Sequence, residues 1–216
     1  MKTVVICGGG PEAELIDFSS LQSEQAAFIG ADYGAIHLVN KGIVPVLAIG
    51  DFDSVSDVNW EKLQELSIEL KKVSAEKDET DLELALEASL KWHPTNIIVT
   101  GVTGGRLDHF YSAIQAVLAW KEVNQQVDVS IQNKLNSMEI LLPGDHNISV
   151  DKHYPYISFF PLRQTIHGFT LKGFKYNVEN NSIHFGETKY TSNELIDKNA
   201  TISISSGICL MIRSHD

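Results

Sequence analysis

The chain has 216 residues, enough for one large domain or two small ones, and 43% of them are hydrophobic against 21% charged, the balance of an ordinary globular protein with material for a core. A formal net charge of −11 at pH 7 argues against a nucleic-acid surface, which is built on clustered Lys and Arg. No apolar run reaches the length of a membrane span, so neither nucleic acid nor membrane is expected as a partner.

Thr3 to Cys7 reads as a buried strand that the chain enters without a signal-peptide pattern, and the expected location is the cytoplasm. Cys7 and Cys209 both lie in apolar strand-like runs and are expected as buried free thiols. Gly8-Gly9-Gly10-Pro11 follows as a turn. It matches neither a Walker A loop nor G-x-G-x-x-G, and its glycines serve either a tight turn or the approach of backbone amides to a phosphate. Ala26 to Asp32 is a second strand ending in an acid, and Gly34 to Asn40 has helical spacing closed by Lys41-Gly42.

Val44 to Ile49 forms the next strand and delivers Gly50-Asp51-Phe52-Asp53-Ser54, after which Val58 to Leu66 reads as a helix. Ile68 to Val73 is a strand leading into Asp78-Glu79-Thr80-Asp81. Thr80 with Glu83 fits a capping box for a helix whose face carries Leu82, Ala85, Leu86 and Leu90. Acids brought to the carboxyl ends of successive strands repel one another, and a divalent cation with hard oxygen ligands, Mg²⁺ above all, relieves that repulsion. The alternative for these acids is a solvated loop.

Asn96 to Thr100 is a further buried strand, running into Gly101-Val102-Thr103-Gly104-Gly105-Arg106 and then a helix with Leu107, Phe110, Tyr111, Ile114 and Leu118 on its apolar side. A Gly-rich turn opening a helix is an anion site, and Arg106 there suits phosphate oxygens. Asp108 in the first helical turn gains from the helix dipole with or without a catalytic role.

From about Val127 the pattern changes to strands and turns: Val127 to Gln132, Met138 to Leu142, Asn147 to Val150, Tyr156 to Leu162, Thr165 to Leu171 and Phe174 to Val178. Glu179-Asn180-Asn181-Ser182 reads as a hairpin turn, and Thr201 to Ile204 and Ile208 to Ile212 close the series. The fold class expected is α/β: an N-terminal, mostly parallel α/β sheet domain over 1–142, followed by a smaller C-terminal all-β sandwich domain over 143–216, with the boundary near Pro143-Gly144-Asp145.

The ordered series Ala31-Asp32-Tyr33-Gly34-Ala35, Gly50-Asp51-Phe52-Asp53-Ser54, Asp78-Glu79-Thr80-Asp81, Gly104-Gly105-Arg106-Leu107-Asp108-His109 and Thr191-Ser192-Asn193 resembles the thiamine pyrophosphokinase family nearly end to end. The resemblance implies an ATP-dependent diphosphotransferase that moves the terminal diphosphate of ATP to the thiamine hydroxyl and releases AMP. It assigns ATP and Mg²⁺ to the α/β domain and thiamine to the sandwich, in a homodimer with active sites at the subunit interface. On that reading Asp51, Asp53, Asp78 and Asp81 hold Mg²⁺ and, with Arg106, form the catalytic set. ATP is expected at Asp32, Thr100, Gly101, Gly104, Gly105, Arg106 and Asp108, and thiamine at Ser192 and Asn193. The first motif usually carries glycine where this chain has Tyr33. The open alternatives are another metal-dependent phosphotransferase or phosphohydrolase, and a non-catalytic nucleotide-sensing module.

Overall fold

Thr3–Cys7 forms β1, with Val4, Val5 and Ile6 wholly buried, and it lies inside a parallel sheet whose strands must be apolar on both faces. In this computed structural model, which describes residues 2–24, 26–66, 68–74, 76 and 78–216, the chain divides into two compact units, Met1–Lys134 and Leu135–Asp216. Among the described residues, no helix is long and apolar enough to cross a membrane.

The first unit contains β1, β2 (Ala27–Ala31), β3 (Leu47–Gly50), β4 (Glu69–Lys72), β5 (Asn96–Thr100) and β6 (Asp128–Gln132). Its helices are α1 (Ser19–Ser23), α2 (Gly34–Asn40), α3 (Asp57–Glu65), α4 (Asp81–Ser89) and α5 (Leu107–Val123). The strands run parallel in the order β6-β5-β1-β2-β3-β4, the mostly parallel α/β sheet expected. Glu69-Leu70-Lys71-Lys72 puts charge on the edge strand β4, which discourages further pairing. The chain builds outward from β1 through β4, then returns to place β5 and β6 on the other side of β1. The strand order therefore reverses between β1 and β5, and the crevice beyond the carboxyl ends of those strands is where such sheets bind ligands.

The capping box is present: Glu83 N–H donates to Thr80 Oγ1 (3.3 Å) and Thr80 N–H to Glu83 Oε2 (2.7 Å), so α4 starts at Asp81. Leu82, Ala85 and Leu86 are buried as their spacing predicts. Helix α5 differs from expectation. Ile114 and Leu118 are buried with Ala113, Ala116, Val117 and Trp120, but Leu107 is 80% and Tyr111 65% exposed. The buried face of α5 thus begins at Ala113, while Leu107 and Tyr111 of its first turns face outward.

The β-rich tail also divides differently. Strand β6 pairs in parallel with β5, Val129 opposite Ile97, so it completes the first sheet. Strand β7 (Asn136–Leu141) pairs antiparallel with β14 (Cys209–Ser214) and belongs to the second unit, so the division falls at Lys134/Leu135, ahead of the expected boundary at Leu142/Pro143.

The second unit adds β8 (Gly144–Ile148), β9 (Tyr156–Pro161), β10 (Ile166–Lys172), β11 (Val178–Ile183), β12 (Asn193–Glu194) and β13 (Ala200–Ile204). Within this unit the antiparallel strands β12-β9-β14-β7 form one layer and the four-stranded sheet β11-β10-β13-β8 the other, around one core. Phe159 of β9 meets Phe169 of β10 edge-on at 5.3 Å across that core. Each fully buried Phe contributes roughly 2–3 kcal/mol by apolar burial. This is the all-β sandwich expected.

Two local readings are corrected. Residues 174–177 are a bend rather than a strand: Gly173 takes φ +83°, and Phe174 N–H donates to Asn177 Oδ1 at 3.1 Å. Residues 179–182, expected as a turn, lie inside β11. The turn-forming character of Asn180 is real, but its φ of 47° is absorbed in an irregularity of the β10–β11 ladder, where its N–H donates to Thr170 Oγ1 (2.9 Å). Both cysteines are buried and unpaired, and burial pushes each thiol up to about 12.

Candidate active site

The two turns at the reversal point pack backbone against backbone. Gly8 N–H donates to Thr100 O (2.8 Å) and Gly10 N–H to Gly101 O (2.7 Å). A Cβ on Gly8 would stand 2.8 Å from Gly101 O, and one on Gly10 2.6 Å from the same oxygen. These glycines are therefore required by close approach of the two loops, and the amides of Gly8 and Gly10 already have partners. Of the two sequence readings of this turn, the structural one accounts for them.

Around the turns opens a cavity of about 830 Å³, the size of a small-molecule site, lined from the ends of β1, β2, β3 and β5 and the starts of α4 and α5. His37 of α2 closes one side. Its Nε2–H donates to Gly10 O (2.8 Å), which leaves Nδ1 buried without a partner. Tyr33 stands edge-on to His37 at 5.1 Å and also lines the cavity. Tyr33 has φ −60° and ψ −17°, open to any residue, because the left-handed turn is taken by Asp32 at φ 49°. The Tyr-for-Gly departure thus costs no backbone strain, but it favours glycine at position 9, since a Cβ there would lie 3.0 Å from Tyr33 Cβ.

Asp32, Asp51 and Asp53 converge, with one carboxylate oxygen from each lying within 4.8 Å of the others. Asp32 Oδ2 accepts from Ser54 Oγ (2.7 Å), while Oδ1 is buried with no hydrogen-bond partner among the described residues. Asp51 Oδ1 accepts from Asp53 N–H (3.2 Å), an Asx turn that sets the two acids of the loop side by side. A buried, unpartnered carboxylate oxygen next to two further carboxylates is an oxygen-only donor set of the kind hard divalent cations take. Asp81 joins from the first turn of α4 by lining the cavity; Asp78, of the same acidic segment, is not among the described residues that line it. Asp32, expected on the nucleotide, stands in the acidic group itself.

Gly101, Gly105 and Arg106 line the cavity, whereas Gly104 and Asp108 are not among its described lining residues. Thr100 is fully buried, its Oγ1 accepting from Ile16 N–H (3.4 Å). Arg106 immediately precedes the 17-residue α5, whose N-terminus carries partial positive charge. Its guanidinium grips Asp108 bidentately, Nε to Oδ1 at 3.1 Å and Nη2 to Oδ2 at 2.6 Å. That hydrogen bonding holds the Asp108 carboxyl down at about 2 and raises the Arg106 pKa. Both side chains are exposed, so the pair aims the guanidinium without adding much stability.

Ser192 and Asn193 lie in the second unit. Ser192 sits at φ 55° with its N–H donating to Ser158 Oγ (3.0 Å). Asn193 is buried: its Nδ2 donates to Tyr176 O (2.9 Å), and its Oδ1 accepts from Tyr176 N–H (3.1 Å) and Glu194 N–H (2.9 Å). The Asn193 amide is thus occupied in clamping the main chain of Tyr176, a residue 62% exposed. Tyr176, like His37 and Ser54, was passed over at the sequence level; an aromatic followed by Asn in an alternating run carries no signal of its own.

A family profile described as thiamin pyrophosphokinase, catalytic domain, matches residues 18–131, and one described as thiamin pyrophosphokinase, vitamin B1 binding domain, matches residues 145–209. The chain is 41% identical over 216 residues to thiamine pyrophosphokinase of Bacillus subtilis (strain 168), covering all of both chains. A crystal structure of thiamine pyrophosphokinase from Bacillus subtilis superposes with a TM-score of 0.92 at 38% identity, again over the whole of each chain. One from Geobacillus thermodenitrificans superposes at 0.90 with 36% identity, covering 99% of this chain and 98% of that one. With two consecutive family profiles and a full-length match at this identity, the chain belongs to the thiamine pyrophosphokinase family.

Proposed function

We propose that this protein transfers the diphosphate of ATP to the hydroxyl of thiamine, giving thiamine diphosphate and AMP, with the phosphate chemistry in the cavity of the first unit. The observation that carries the site assignment is the convergence of Asp32, Asp51 and Asp53 beside that cavity, with Asp32 Oδ1 buried and unpartnered. Glu12, Glu79 and Asp81 also line the cavity, against Arg106 as a cation. A triphosphate entering so acidic a space would be repelled by these carboxylates unless divalent cation offset their charge. Asp32, Asp51 and Asp53 would hold Mg²⁺, with Asp81 facing them and Asp78 assigned no ligand role. Held there, Mg²⁺ would supply charge neutralisation for the diphosphate being transferred.

The remaining roles belong to the chain's own residues. Arg106, at the start of α5, binds phosphate oxygens, and Asp108 fixes its orientation. Gly105 adds no side chain to the cavity wall next to Arg106, and Gly101 is required by its close approach to Gly8. The alcohol attacks the β-phosphorus, so these groups act chiefly by positioning and by charge stabilisation. In the second unit, Asn193 presents the Tyr176 ring, a surface suited to a cationic aromatic vitamin, with the Ser192 hydroxyl nearby in sequence. The protein works as a cytoplasmic homodimer with its active sites at the subunit interface, a reading supported by the exposed Leu107 and Tyr111 beside Arg106 on α5.

The test is a product assay with ATP, Mg²⁺ and thiamine. AMP and thiamine diphosphate are expected in equal amounts, strictly dependent on thiamine; ADP with thiamine monophosphate would overturn diphosphate transfer. Asp53→Asn should cost about two to three powers of ten in turnover with the fold intact, and Asp57→Asn, on the first turn of α3, should do far less.

A further inference from the structure

Phe52 lies between the two acids of its loop and belongs to neither the cavity wall nor the acidic group. Its φ is 58°, a left-handed conformation that a bulky aromatic residue rarely adopts. Its ring is nevertheless 6% exposed and joins Ala35, Ile36, Ala48 and Leu63 in one apolar cluster. The ring meets Trp60 of α3 at 4.9 Å, and the Lys72 ammonium at the end of β4 stands 5.4 Å from the Trp60 ring.

We propose that Phe52, backed by Trp60, is a positioning residue that sets the cation-binding geometry of Asp51 and Asp53 from outside the site. The inference rests on the reading of Asp32, Asp51 and Asp53 as the Mg²⁺ site. In this left-handed conformation the Phe52 side chain drops into the core. The loop then turns so that the flanking acids come forward together, with Asp53 N–H on Asp51 Oδ1 and Ser54 Oγ on Asp32 Oδ2. Burial of the ring holds a conformation the backbone alone disfavours. Glycine would accept the same φ without strain but would leave the loop unanchored. Trp60 also touches Lys72, the last residue of β4 before the second acidic segment, so one indole backs the strands that lead into both acidic loops.

The test is titration of the full-length protein with Mn²⁺ alone, free Mn²⁺ being read by electron paramagnetic resonance, since carboxylate sites that take Mg²⁺ also take Mn²⁺. Phe52→Leu, Phe52→Gly and Trp60→Leu should each weaken Mn²⁺ binding by about tenfold, the lower end of the loss seen when residues supporting metal ligands are changed. Leu63→Ala, which hollows the same core from α3 without touching the loop conformation, should lose thermal stability and keep its Mn²⁺ affinity. If Phe52→Leu does not fold by circular dichroism, Trp60→Leu decides. Wild-type affinity in the folded Phe52 and Trp60 variants would overturn the inference, as would an equal loss in Leu63→Ala, with the metal site itself left standing. Absence of Mn²⁺ binding by the wild type would remove the metal reading and this inference with it.

Discussion

Ser54 Oγ donates to Asp32 Oδ2 at 2.7 Å and so ties the loop after β3 to the loop after β2. The two strands are neighbours, with Ala31 opposite Ile49, and the backbone repeats the tie through Asp32 N–H to Ile49 O at 2.9 Å. Asp32 is thereby held with one oxygen satisfied and the other buried without a hydrogen-bond partner among the described residues. Ser54→Ala should leave the fold unchanged and free the carboxylate to rotate. The expected effect is about a tenfold rise in the Mg²⁺ concentration needed for half-maximal rate, with restoration in Ser54→Thr. An unchanged metal requirement in Ser54→Ala would show that the hydroxyl only decorates the loop.

Asn193 carries a different expectation from the one its motif suggests. Three hydrogen bonds engage its amide, two of them on the main chain of Tyr176. Asn193→Ala would strand the N–H groups of Tyr176 and Glu194 and the C=O of Tyr176, at about 1–3 kcal/mol for each that stays buried and unsatisfied. The melting temperature should fall clearly, and KM for thiamine should rise while KM for ATP holds. Asn193→Asp, which keeps the acceptor and loses the donor, should fall between the two. A normal melting temperature with a raised thiamine KM would instead mean that Asn193 touches the vitamin directly.

Much of this was legible in the sequence, and the exceptions have physical causes. Thr3–Cys7 and Asn96–Thr100 are strands at the expected residues because buried parallel strands are continuous apolar runs. The Thr80–Glu83 cap is equally local and equally readable. The expected limits put both β6 and β7 in the first domain; the pairing of Val129 with Ile97 keeps β6 there, but β7 pairs with β14 of the second unit, because alternation marks a strand without naming its partner. The acids were visible as chemistry, but the grouping of Asp32 with Asp51 and Asp53 depends on β2 and β3 being neighbours. Leu107 and Tyr111 misled because apolar spacing reports a helical face without reporting what covers it.

The Arg106–Asp108 fork gives a pH prediction with a definite sign. The folded Asp108 carboxyl lies at about 2, below its ordinary value near 3.8, chiefly because Arg106 hydrogen-bonds to it. A depressed carboxylate contributes its stabilisation above the unfolded pKa and loses it as pH falls through the folded one. The stability difference between wild type and Asp108→Asn should therefore be small and constant from about pH 5 to 8, and should vanish only in strong acid. Over that range the rate should depend on Asp108 through orientation alone: Asp108→Asn should raise KM for ATP severalfold, equally at every pH. A variant whose deficit grows or shrinks between pH 5 and 8 would show that Asp108 takes part in proton transfer.

The homodimer proposal can be tested by subunit mixing, and the structure dictates which variants are fit for it. One chain must lose the phosphate chemistry and the other the thiamine surface, each without loss of fold. Asp53→Asn meets the first need, since Asp53 is exposed on a loop. Asn193→Ala does not meet the second, because Asn193 holds Tyr176 in place. Tyr176→Ala does, since that residue is 62% exposed and removal of its ring leaves the Asn193 clamp on the main chain intact. If each active site takes its phosphate half from one chain and its thiamine half from the partner, a mixed dimer has one site with both halves sound. Random pairing makes about half the dimers mixed, each with one working site of two, so activity should return to about a quarter of wild type. If both halves of a site come from the same chain, every site carries one defect or the other and mixing restores nothing. Verified exchange of subunits with activity no higher than the parents would thus defeat the shared site while leaving diphosphate transfer untouched.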